Sequence, residues 1–118
     1  MNEQINIMAV IVKTGDPAGL LKKIKKAIDD KHIETWSYDS DGDFTHTPEQ
    51  WKGKAWLRPK IYTGELRFGI LKQTSINMSK IVYGVYHGRF IEMLLTHFDT
   101  EFSIAQATAA SAEPDNIG

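Results

Sequence analysis

Cysteine is absent from all 118 positions. Disulfides and thiolate metal sites are therefore excluded, and the chain is compatible with a reducing, cytoplasmic location. Long apolar runs are missing too. The run with most apolar character near the N-terminus, Ile5 to Val12, is far short of the ~20 residues that a bilayer helix needs. It has neither a positive leader nor a small-residue cleavage site, so no secretory signal is expected. No excess of either charge is present, with 14 basic against 15 acidic residues. That balance speaks against a dedicated nucleic-acid binder, which carries a basic excess, and against an acidic DNA mimic. GxxxxGK[ST], GxGxxG and GxSxG are all missing, and so are the usual sequence signals of nucleotide hydrolysis, dinucleotide redox chemistry and serine hydrolysis. No internal repeat appears.

What is present is an ordinary globular composition, 42% hydrophobic and 25% charged, in a length suited to one domain. Residues 1–108 are expected to form it. The low-complexity stretch 109–118, part of ATAASAEPDNIG, is expected to be a flexible tail.

INIMAVIV is apolar on both parities and predicts a central strand covered on both faces. In TGDPAG, Asp16 is placed to cap a helix and Pro17 fits its first position. Leu20, Leu21, Ile24, Ala27 and Ile28 form one apolar stripe, and the helix is expected to run to about Lys31. Lys22, Lys23, Lys25 and Lys26 then face solvent.

ETWSY alternates, which puts Trp36 and Tyr38 on one face of a second strand. The stretch that follows it poses a choice. Asp39, Asp41 and Asp43 occupy the first three ligand positions of a helix–loop–helix calcium loop. The glycine, however, comes at position 4 and position 12 is Gln50, between strand-like flanks. A four-residue turn with Asp at its start and Gly at its end accounts for the same letters, so a hairpin is expected rather than a metal site. A cation held by His46 with Asp41 or Asp43 across that hairpin has no ligand spacing to support it.

Phe44 and His46 share a face of the returning strand. Thr47 and Gln50 have capping-box spacing around Pro48, which predicts one or two helical turns ending near Gly53. KAWLRPKIY reads as a strand that Pro59 confines to an edge or a bulge. ELRFGILKQ reads as the next strand, followed by a loop around Ser75 to Ser79. KIVYGVY predicts a further strand, with Gly69 and Gly84 suggesting bulges or close approach of another segment. His87-Gly88 then opens a second helix over Arg89 to Phe98, and FSIAQA supplies a last strand. The expected class is α+β, a mostly antiparallel sheet with two helices on one face. A ferredoxin-like order with an inserted hairpin is one such architecture, an analogy of topology alone.

Six of the 12 aromatic residues fall between Trp36 and Tyr62. The candidate binding residues are Trp36, Tyr38, Trp51, Trp56, Arg58 and Tyr62. Aromatics among basic side chains stack bases and neutralise phosphates; the simpler reading is a tryptophan-rich core with lysines at its rim. His46, His87 and Arg89 are candidate catalytic residues for a small metal-independent hydrolase or ribonuclease, two imidazoles for proton transfer and a guanidinium for a phosphate. His32 lies just past the first helix, where a partial positive charge suits the dipole, and His97 lies on the outer side of the second, where solvent is expected. No cofactor is called for. The expectation is a cytoplasmic, bacterial-type, non-enzymatic module that binds a protein partner or forms a homo-oligomer. The small hydrolase and a nucleic-acid-binding module are the alternatives.

Overall fold

The computed structural model describes residues 10–73 and 79–108. Ile5 to Ala9 of the first predicted strand, the loop from Ser75 to Met78 and the tail from 109 onward lie outside the described residues. Eight elements follow one another: β1 (Val10–Lys13), α1 (Pro17–Asp29), β2 (Trp36–Tyr38), β3 (Phe44–His46), β4 (Ala55–Tyr62), β5 (Glu65–Lys72), α2 (Lys80–Phe98) and β6 (Ile104–Ala107). The strands form one sheet in the order β2-β3-β4-β5-β1-β6, and every strand pairing among the described residues is antiparallel. Both helices lie on one face of it, as expected for this α+β class.

α1 begins as its sequence dictates. The Asp16 carboxylate accepts from Gly19 N at 3.0 Å, and Pro17 stands at the first turn. The helix stops at Asp29, two residues before the expected end. Lys31 takes the left-handed conformation, φ 65°. His32 N and Lys31 N then donate to the carbonyls of Ala27 and Ile28 at 2.9 and 3.0 Å, closing a Schellman motif in which lysine occupies the usual glycine position. Leu20 and Ile24 are buried on the sheet.

β1 lies inside the sheet between β5 and β6. Among the described residues it is covered on one face only, which corrects the expectation of two: Val10 and Val12 are fully buried, while Ile11 and Lys13 are half-buried. β4 and β5 pair without interruption from Ala55↔Lys72 to Tyr62↔Glu65, so Gly69 sits opposite Arg58 with no bulge. β3 meets β4 only at Phe44↔Leu57. From Pro59 onward the far side of β4 therefore has no described neighbouring strand. The missing proline donor falls on this open edge, as expected.

Two predicted elements are corrected. KIVYGVY is not a strand but the first half of α2, which spans Lys80–Phe98. The Ser79 hydroxyl caps it, accepting from Val82 N at 3.1 Å. Tyr83, Tyr86, His87 and Phe90 recur at helical spacing, and burial of Tyr86, His87 and Phe90 outweighs the β-preference of the branched and aromatic residues. Gly84 and His87-Gly88 are thus helix interior, neither a strand bulge nor a helix start. The segment after Pro48 keeps one helical turn, Lys52 N donating to Pro48 O at 2.9 Å, but forms no regular helix. The Thr47 hydroxyl donates to Glu34 O at 2.7 Å instead of entering the expected capping box with Gln50.

Phe90 is the centre of the core. Its ring lies 4.5 Å from Phe68, 5.0 Å from Trp36 and 5.9 Å from Phe44, mostly edge-on, the geometry that aromatic quadrupoles favour. Val10, Val12, Leu57, Leu66 and Ile70 from the sheet, with Leu20, Ile24 and Leu94 from the helices, complete it.

Candidate functional site

Because side chains alternate along strands, burying Leu57, Leu66 and Phe68 turns Trp56, Arg58, Lys60, Tyr62 and Arg67 to the opposite face. Among the described residues, no helix covers that face. Register brings the side chains together: Trp56 pairs with Leu71, Lys60 with Arg67 and Tyr62 with Glu65. The Arg67 guanidinium lies 4.0 Å and the Lys60 ammonium 5.7 Å from the Tyr62 ring, both within cation–π range. Glu65 bridges the next strand, accepting from Lys13 Nζ and, at 2.6 Å, from Arg67 Nε. These two donors hold its carboxyl below the usual range, Lys13 contributing most. Arg58 binds Asp43 through Nε and Nη2, at 3.0 and 2.8 Å. Four cations, Lys13, Arg58, Lys60 and Arg67, thus share the face with two carboxylates and two large rings.

The candidate binding residues divide. Trp56, Arg58 and Tyr62 stand together on this face. Trp36 is 1% exposed and belongs to the core. Tyr38 and Trp51 are half-buried and pack against that core. The Tyr38 hydroxyl donates to the Asp29 carboxylate at 2.7 Å, tying β2 to the end of α1, and this bond raises its pKa.

The three aspartates form the expected hairpin. Gly42 N donates to Asp39 O at 2.9 Å and Asp39 N to Asp43 O at 3.0 Å, with Gly42 at φ 84°. The Asp39 carboxylate accepts from both Asp41 N and Asp43 N at 3.0 Å. Asp39, Asp41 and Asp43 do bring carboxylate oxygens within 4.8 Å of one another. The turn and the Arg58 pair account for Asp39 and Asp43, so nothing beyond proximity points to a cation.

The candidate catalytic residues are only partly brought together. His46 and Arg89 line one cavity between the β2–β3 hairpin and α2, of about 150 Å³, with Glu92 and His97. His87 is not among its lining residues. It stacks on Tyr83 at 3.8 Å, and its Nδ1 donates to Tyr83 O at 2.5 Å. His46 is 2% exposed rather than the surface residue that a strand end suggests. Its ring stacks on Trp36 at 4.5 Å and its Nδ1 donates to Thr35 O at 2.7 Å. Burial lowers its pKa, helped by Arg89 and opposed by the Thr35 hydrogen bond and Glu92. Sequence reasoning missed this enclosure: it places Arg89, Glu92 and Met93 on the second helix, but no local signal shows that this helix packs over the β2–β3 hairpin. His97 is exposed, as expected, and so is His32.

No helix among the described residues is long and apolar enough to cross a membrane. No family model, curated protein or solved structure matches this chain.

Proposed function

We propose that this chain is a non-enzymatic binding module that docks an acidic protein surface on the uncovered face of its sheet. The observation that carries the reading is the grouping of Trp56 and Tyr62 with Lys13, Arg58, Lys60 and Arg67 on that face. Aromatic and arginine anchors concentrate binding energy at protein interfaces, and complementary charge sets orientation and association rate. A symmetric dimer through the same face would set these cations against their own copies, so a different protein is the favoured occupant. Strand addition along the open half of β4 is opposed by Pro59, which has no donor, and by the exposed Lys60.

The test is a comparative pull-down with matched baits: wild type, Trp56→Ala, Lys60→Glu, and Ile81→Ser on the opposite side of the molecule. A protein captured by wild type and Ile81→Ser but lost with the other two, whose affinity falls with salt, supports the reading. Equal capture by all four baits overturns it. So does displacement of the captured protein by a single-stranded oligonucleotide, which would favour the nucleic-acid module.

A further inference from the structure

We infer that the cavity between the β2–β3 hairpin and α2 is a binding site for a small hydroxy-carboxylate, held by His46 and Arg89. The argument begins with the His46 tautomer. A carbonyl oxygen only accepts, so the contact with Thr35 O puts the ring proton on Nδ1. Nε2 is then a bare acceptor. It is buried and has no hydrogen-bond partner among the described residues. Leaving a buried polar atom unsatisfied is costly, and such atoms in native folds usually face a ligand or an ordered water.

The surroundings narrow the class. Trp36 and Met93 give the cavity apolar walls, while Arg89 and Glu92 bring charge to it. Arg89 is exposed and makes no ion pair among the described residues, so its guanidinium is available to an anion. A guanidinium presents paired donors that match a carboxylate. A ligand that fits both ends carries a hydroxyl to donate to Nε2 and a carboxylate for Arg89. The volume of about 150 Å³ is the liquid-volume share of about five waters. That suits a molecule of a few heavy atoms and excludes a nucleotide. Burial keeps His46 neutral, which preserves the acceptor near neutral pH. This site lies on the helix side of the sheet and does not depend on the docking face.

The experiment is a titration of the intact chain with sodium glycolate, followed through the imidazole nitrogens of His46 by long-range proton–nitrogen NMR. Sodium acetate, which lacks the hydroxyl, is the comparison. A saturable shift at Nε2 with glycolate, weaker with acetate, is expected. Arg89→Gln, at an exposed position that leaves the core intact, is expected to weaken glycolate by about tenfold or more, the loss of one charged hydrogen bond. Absence of a saturable shift at Nε2 means that water alone fills the cavity and overturns the inference. Equal affinities for glycolate and acetate, or a glycolate affinity unchanged in Arg89→Gln, overturn it as well.

Discussion

Arg58 reaches from β4 to the hairpin ahead of β3 and holds the Asp43 carboxylate with two hydrogen bonds, at 3.0 and 2.8 Å. The pair is asymmetric: the Arg58 side chain is 56% exposed and that of Asp43 only 5%. Removing the arginine therefore strands a buried carboxylate, whereas removing the carboxylate merely frees an arginine already in water. Arg58→Ala should cost about 1–3 kcal/mol, a range set below that of a fully buried pair because solvent screens the arginine. Adding Asp43→Asn to that variant should recover part of the loss. Urea denaturation of the double-mutant cycle checks both. Equal costs for the two single variants would contradict the asymmetry.

His46 makes stability depend on pH. Its folded pKa lies below the ordinary value of 6.5, so the unfolded chain takes up a proton where the folded one resists. The unfolded state then binds more protons, and stability rises with pH across that window. Its full contribution is present above pH ~6.5 and declines as pH falls below it, by at most about 1.4 kcal/mol per pH unit. His46→Gln should show a flatter profile than wild type between pH 7.5 and 5. Parallel profiles would place the proton uptake elsewhere.

Backbone conformation is mismatched to residue type at three positions. Lys31 holds a left-handed φ of 65°, while Gly84 and Gly88 lie inside α2, where an added Cβ meets nothing within 4 Å. Lys31→Gly, Gly84→Ala and Gly88→Ala should each stabilise the fold by about 0.5–1 kcal/mol. Chemical denaturation midpoints read the gain, and a loss at either alanine would mean that something packs on that face of α2.

Glu65 joins β5 to β1 through Lys13 and also pairs with Arg67 within its own strand. Its folded pKa is depressed, so its contribution is present above the unfolded value and is lost as pH falls through the folded one. Glu65→Gln should cost roughly 1 kcal/mol at pH 7, discounted for the half-exposed lysine. The gap from wild type should close in acid, below the unfolded glutamate value of about 4.3. Adding 1 M salt at neutral pH should narrow the same gap by screening.

The short-range features were legible in the chain because their causes are local. Asp16 with Pro17 starts a helix wherever they stand, Asp39 to Gly42 closes a turn by its own hydrogen bonds, and Pro59 marks an open edge since it has no donor. The KIVYGVY segment was not legible. Its β-branched and aromatic residues fit a strand as well as a helix, and only Ser79 N-terminal to it and the burial of Tyr86 and Phe90 decide for the helix. The candidate site divided along the same line. That Trp56, Arg58 and Tyr62 share a face follows from period-two alternation, whereas the enclosure of His46 depends on a helix that arrives from more than 30 residues away.

Sequence alone thus determined the antiparallel α+β class, the first strand–helix pair, the aspartate turn and the absence of thiol chemistry. Each rests on interactions within a few residues or on composition. Tertiary structure decided which indole is core and which meets solvent, and which face of the sheet the helices leave open. It also decided whether the histidines meet. Those outcomes depend on long-range packing, where burial of apolar area outweighs the local preferences of any single segment.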